Sequence, residues 1–162
     1  MTIPNKQQRI DEGYMSQALT LAENALHQGE VPVGAIVVLG ERTLGVGENR
    51  CEMDHDPSAH AEVLAIKAAA RQIGASRLDG ATLYVTLEPC LMCCGILLQA
   101  RIARLVFGAR EPRTGGVVSI HDALRLPGVT HHVAITEGVH AEQSAAMMHR
   151  FFQNLRQPGS AL

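Results

Sequence analysis

His60-Ala61-Glu62 and Pro89-Cys90-Leu91-Met92-Cys93 bracket the stretch on which the reading of this 162-residue chain turns. One imidazole and two potential thiolates suit a tetrahedral zinc ion, and three protein ligands leave the fourth position open, as in a catalytic site. His60, Cys90 and Cys93 are therefore the expected ligands of one Zn2+ per chain. Glu62 is the nearest carboxylate able to move protons at the open position. Residues 63–88 between the two halves suffice for a helix, a loop and a strand.

Each half demands a particular local structure. Two residues apart, His60 and Glu62 would diverge by roughly 200° within a helix. They share a site only at a helix start, where an ion beyond the end is approached from both sides. Asp56 as N-cap, Pro57 as first helical residue and the apolar run that follows predict that start. Cys90 and Cys93 fall on one helix face, and Pro89 marks where that helix begins. Two positive helix ends thus converge on one ion, favouring thiolates and bound hydroxide. A structural zinc would need a fourth ligand. Adjacent to Cys93, Cys94 points about 100° away on a helix, whereas Cys51 stays open on spacing alone.

Working outward, apolar periodicity and Gly29 predict a helix over 12–28, carrying Met15, Ala18, Leu19, Ala22, Ala25 and Leu26. Val33–Leu39 and Thr43–Asn49 read as a hairpin. Polar residues 50–56 lead to a helix from Pro57 to about Ile73 that buries Val63, Ile66, Ala70 and Ile73 and stops at Gly74. Ala81–Leu87 is a strand, Cys90–Ala100 a helix, Arg104–Gly108 a strand and Arg110–Val118 a loop. A short helix over His121–Leu126, a strand over His132–Thr136 and a helix from His140 to about Gln157 complete the chain. The last helix carries Ala145, Met148, Phe152 and Leu155 on one face. This order implies an α/β domain with one sheet of five strands flanked by helices, and ligands at the carboxyl ends of the strands. The third strand runs straight into Pro89-Cys90, where that rule expects a site. No repeat, low-complexity tract or linker interrupts the chain, so a single domain over 1–162, with its core at about 11–157, is expected.

Composition narrows the function. A net charge of −2 offers no global field for nucleic acid, so any such binding needs a local patch. Aromatics at 3%, without Trp, argue against an extended base-stacking platform. Three of the four cysteines cluster at 90–94, and Met1–Gly13 is polar, without an apolar signal core. A disulfide framework, secretion and a membrane span are not indicated, and a reducing, cytoplasmic setting is expected. Pro158-Gly159-Ser160 suggests a frayed end.

His-x-Glu followed by Pro-Cys-x-x-Cys is the pattern of zinc-dependent nucleobase deaminases. Further stretches agree with one branch: Glu30-Val31-Pro32-Val33-Gly34-Ala35, Asn49-Arg50, His55 to Glu62, Thr82 to Cys90, Ala100-Arg101-Ile102, Val106-Phe107-Gly108-Ala109-Arg110, Thr114-Gly115 and Phe151-Phe152. Together they resemble the bacterial tRNA-specific adenosine deaminases over about residues 11–157. That resemblance implies a three-layer α/β/α cytidine deaminase-like fold with a mixed five-stranded sheet. It implies His60, Cys90 and Cys93 as zinc ligands, Glu62 as proton shuttle, Asn49 as base contact, and Val33 and Leu87 as pocket lining. It also implies hydrolysis of adenosine to inosine at the wobble position of a tRNA anticodon stem-loop, by a homodimer whose shared face holds the RNA. Glu111-Pro112 and Cys94 depart from the family's usual residues; Cys94 reads as a buried apolar neighbour.

Arg101, Arg104, Arg110 and Arg113 around the fourth strand, with Arg150 and Arg156 beside Phe151 and Phe152, are expected to supply phosphate contacts, Arg110, Arg156 and Phe152 foremost. Two competing functions share parts of the pattern. A small-molecule deaminase acting on guanine, cytosine or a free nucleotide needs no basic surface, but free-cytidine enzymes differ from Leu91-Met92-Cys93-Cys94-Gly95. A zinc-stabilised scaffold has no use for Glu62.

Overall fold

The computed structural model describes residues 2–157; Pro158-Gly159-Ser160 lies outside them. Helix α1 (Lys6–His27) is followed by strands β1 (Gly34–Leu39) and β2 (Arg42–Glu48), then α2 (Ala61–Ile73), β3 (Thr82–Leu87), α3 (Leu91–Gln99), β4 (Arg104–Ala109), a 3-10 turn at Ala123–Arg125, β5 (Ala134–Glu137) and α4 (Ala141–Leu155). The strands form one mixed sheet in the order β2-β1-β3-β4-β5. β1 runs antiparallel to both β2 and β3, while β3, β4 and β5 run parallel.

Alternation along the strands sends side chains to two cores. Ala35, Val37, Leu83, Val85, Leu105 and Phe107 join α2 and α3 on one face. Ile36, Val38, Tyr84 and Val106 join Met15 and Ala18 of α1 on the other. α4 packs on β4 and against α1 on that second face, completing three layers. α2 sits unusually close to β2, because Gly45 and Gly47 present no side chain to it. A Cβ on Gly47 would lie 2.7 Å from Ala65 N, and both glycines face the Ala61-Ala65-Ala69 stripe.

This close seam corrects part of the helical reading. The buried face of α2 is Ala61, Glu62, Val63, Ala65, Ile66 and Ala69, whereas Ile73 is 42% exposed. The start of α2 also differs. Asp56 does not cap it; its Oδ1 accepts from the Ser58 N–H (2.8 Å) and Oγ (2.7 Å), closing a turn within the loop. His60 is the N-cap, so a site residue stands at the helix end itself. α1 begins at Lys6, not residue 12, because Asn5 and Gln8 form a reciprocal capping box that extends a polar first turn. In α4 the buried position is Ser144, and Ala145 faces solvent.

The topology explains why distant residues meet. β1 starts where β2 and β3 end, so Val33, Asn49 and Leu87 come to the same sheet edge. Arg101 and Arg104 precede or open β4 and therefore sit at the opposite edge. Expected to supply phosphate contacts together with Arg110 and Arg113, they lie at this edge away from the site. Arg104 instead forms a two-pronged ion pair with the buried Asp11 of α1 (2.8 and 2.6 Å) and donates to Thr136 Oγ1 (2.9 Å).

Candidate active site

His60 at the N-cap of α2 and Cys90 at the N-cap of α3 face one another across the carboxyl edge of β3. The His60 Nδ1 lies 3.7 Å from Cys90 Sγ and 3.5 Å from Cys93 Sγ. Tetrahedral zinc with ordinary bond lengths spaces such donors about 3.5–3.8 Å apart. The three donor atoms lie within 4.8 Å of one another and form the one such metal-holding group among the described residues. Cys94 is buried, its thiol turned toward Pro89 O (4.0 Å) and pushed up to about 12 by desolvation, and neither it nor Cys51 joins the group.

The three donors are electrostatically coupled. A hydrogen bond from the Cys93 thiol brings Cys90 down to about 4 against the opposing effect of burial, with His60 assisting. Cys93 is correspondingly pushed up, first by that shared hydrogen bond and then by desolvation. The hydrogen bond with Cys90 raises His60. The three side chains are thus hydrogen-bonded to one another around a point that a divalent ion would occupy in place of their shared protons. Glu62, in the first turn of α2, is only 4% exposed, and desolvation raises its carboxyl above the ordinary value. It also contacts the Cys93 thiol. A buried carboxyl raised in this way beside a potential metal-holding group is suited to proton transfer.

The group opens into a cleft of about 630 Å³. Val33 and Leu87 supply apolar wall, Asn49 a buried amide, and Met148, Phe151 and Phe152 of α4 close the far side.

A model of the MafB19-like deaminases matches residues 10–156. The chain is 38% identical to the tRNA-specific adenosine deaminase of Bacillus subtilis over 93% of this chain and 94% of that one. The chain belongs to the tRNA-specific adenosine deaminase family. The relative from Haemophilus influenzae is 43% identical to this deaminase over 91% of this chain and 86% of that one. A structure from biochemical and structural studies of A-to-I editing by tRNA:A34 deaminases at the wobble position of transfer RNA superposes with a TM-score of 0.81. It is 39% identical and covers 83% of this chain and 98% of that one.

Three features of the deaminase's cleft escape a reading of sequence alone. Glu30, 1% exposed, accepts from Asn49 Nδ2 (3.1 Å) and from the Met53 N–H (2.7 Å). Glu88, 2% exposed, accepts from the N–H groups of Glu111, Val117, Val118 and Ser119 and from the Ser119 hydroxyl. Burial pushes Glu88 up, but these donors outweigh it and hold the carboxyl below its ordinary value. Gly115 is packed so tightly on this carboxylate that no side chain fits. The loop that forms one rim of the cleft is thus tied to the residue two before Cys90. Third, Arg113 lies 5.1 Å over the Phe152 ring at the cleft mouth. Arg110 sits outside the cleft, with both prongs on Glu137 (2.7 Å each). Arg156 is exposed at the end of α4 and does not line the cleft, and Arg150 pairs with Glu23 (2.8 Å). Of the residues singled out in the sequence, the structure gathers His60, Glu62, Cys90, Val33, Asn49, Leu87 and Phe152 around one cleft, with Cys93 in the donor group beneath it. Glu30 and Glu88 fall within stretches that carry the family resemblance, but nothing in the chain shows which donors each carboxylate meets.

Proposed function

We propose that this protein is a zinc-dependent hydrolase that converts adenosine to inosine at the wobble position of a tRNA anticodon loop and releases ammonia. The single observation that carries the chemistry is the buried Glu62 beside the His60, Cys90 and Cys93 donor group. The tRNA substrate rests on the family's relatives. His60, Cys90 and Cys93 would hold the zinc. When bound, the ion supplies Lewis acidity that makes water nucleophilic near neutral pH. Glu62 takes the water's proton and delivers it to N1 of adenine as oxygen bonds to C6. Glu62 then takes the remaining proton from the new C6 hydroxyl and gives it to the exocyclic amine; the C6–N6 bond breaks, the C6 carbonyl forms and ammonia leaves. Val33 and Leu87 sandwich the base in an apolar slot, Asn49 contacts it, and the unpaired anticodon loop lets it unstack at low cost.

Phe152, Arg110 and Arg156 are assigned to the RNA. Arg113, stacked on Phe152, is nearer the cleft than Arg110, whose charge is matched by Glu137. We further propose a homodimer. Its support is a set of exposed apolar side chains on the first turn of α3 and the adjoining loop: Leu91 at 54%, Met92 at 40%, Val118 at 38% and Ile120 at 51%. Four free thiols suit a reducing compartment, and we place the enzyme in the cytoplasm. Among the described residues no helix is long and apolar enough to cross a membrane.

Purified zinc-loaded protein, incubated with an adenosine-bearing anticodon stem-loop and separately with free bases, tests the reading. Inosine and ammonia should form from the stem-loop. Faster turnover of guanine than of the stem-loop would replace it with the small-molecule alternative.

A further inference from the structure

We propose that Glu30 is a positioning residue for the base-contacting amide: it fixes the orientation of the Asn49 side chain in the cleft by holding its Nδ2 end, with Cys51 holding the Oδ1 end. The inference rests on the reading that Asn49 contacts the base. A carboxylate that is 1% exposed lines a cleft in which the deamination chemistry gives it no proton to move. Its two oxygens do separate jobs. Oε1 accepts from the Met53 N–H and ties down the loop after β2; Oε2 accepts from Asn49 Nδ2 at 3.1 Å. The Cys51 thiol donates to Asn49 Oδ1 at 3.3 Å. The Asn49 backbone is pinned as well, its N–H on Val33 O (3.1 Å).

An asparagine amide can sit in two orientations that differ by exchange of oxygen and nitrogen, and surrounding donors and acceptors decide between them. Here the choice is forced. Turned over, the amide would aim its oxygen at the Glu30 carboxylate and lose the Cys51 donor. In the observed orientation one Nδ2 hydrogen is taken by Glu30 and the other is free, and Oδ1 keeps one lone pair beyond the thiol contact. The cleft therefore meets the base with a donor and an acceptor in a set order before substrate arrives. Removing the carboxylate leaves the amide present but unsorted. That costs alignment of the bound base more than binding of the RNA, whose affinity comes mainly from phosphate contacts.

A mutant cycle on stem-loop deamination tests this, with each variant's active fraction set by its zinc content and its fold checked by thermal melting. Glu30→Gln should lower kcat by about tenfold to a hundredfold, with KM changed much less. Added to Asn49→Ala, the same change should cost less than about twofold, because the residue through which it acts is gone. A full Glu30→Gln loss in the Asn49→Ala background, or parental kcat for Glu30→Gln alone, overturns the inference. Parental turnover by Asn49→Ala alone instead removes the base-contact reading and the inference with it. If Glu30→Gln fails to fold, Cys51→Ala probes the amide from its other side. A several-fold kcat loss that vanishes in the Asn49→Ala background supports the same arrangement, and an additive loss or none overturns it.

Discussion

Replacing Glu62 by Gln removes one proton site while keeping the side chain's length and volume. The carboxylate is 4% exposed, in the first turn of α2, against the Cys93 thiol. The other two buried acids of the cleft are already engaged. Glu30 is committed to Asn49 and Met53, and Glu88 to the loop of residues 111–119. Both proton transfers of the reaction therefore fail together. General acid–base groups contribute about 10²–10⁴-fold, and a group used twice with no substitute belongs at the upper end. A loss near 10⁴ corresponds to about 5.4 kcal/mol in the barrier. The fold should be indifferent, since exchanging a buried carboxylate for an isosteric neutral amide removes a desolvated charge and leaves packing intact. The assay is single-turnover inosine formation from a wobble-adenosine stem-loop, with zinc measured by elemental analysis on the same sample. A Glu62→Gln protein that holds one zinc per chain, melts like the parent and retains more than about a tenth of its rate would refute the assignment.

Other expectations follow from the same structure. Cys93→Ser should drop zinc content well below one per chain, and chelation of the parent should abolish turnover until zinc is restored; a zinc-replete, active Cys93→Ser protein would contradict the ligand set. Arg104→Met strands the buried Asp11 and should cost about 3–5 kcal/mol in denaturant unfolding, much of it recovered in Asp11→Leu/Arg104→Met. Burial alone would push Asp11 up, but hydrogen bonds from Arg104, Gln7 and Tyr84 outweigh it and lower the carboxyl below 3.8. The contribution of this network is thus complete above the unfolded value and lost as pH falls through the lowered folded one, so the double variant should lose less stability in acid than the parent. Gly47→Ala forces a Cβ against the α2 backbone and should cost at least about 1–3 kcal/mol by thermal melting, with reduced zinc retention because α2 carries His60. Finally, Arg113→Ala and Arg110→Ala should each weaken stem-loop binding and flatten its salt dependence, Arg113→Ala by about one unit and Arg110→Ala by less because Glu137 already matches that charge; a parental salt slope in Arg110→Ala would take Arg110 off the RNA.

What the chain determines by itself is what depends on short spacing. The Pro89-Cys90-x-x-Cys93 turn, the His60-x-Glu62 step, the αL Gly74 that ends α2 and the short apolar runs of β1, β3 and β4 are each set within a few residues, by local sterics, hydrogen bonds and hydrophobicity. That is why the candidate donor group, the carboxyl beside it and the five-stranded sheet are legible in the sequence. The start of α2 was not, because Asp56 found a nearer partner in Ser58 and left His60 as the cap. Only the tertiary structure decided the rest. Which arginines remain available depends on acids far along the chain: Asp11 for Arg104, Glu137 for Arg110, Glu23 for Arg150. Which carboxylates organise the cleft depends on donors brought to Glu30 and Glu88 from loops some 20 to 30 residues away. A charge has no local signature of its partner. Its role is set by what the sheet order β2-β1-β3-β4-β5 places beside it, and that order is a property of the packed chain rather than of any one segment.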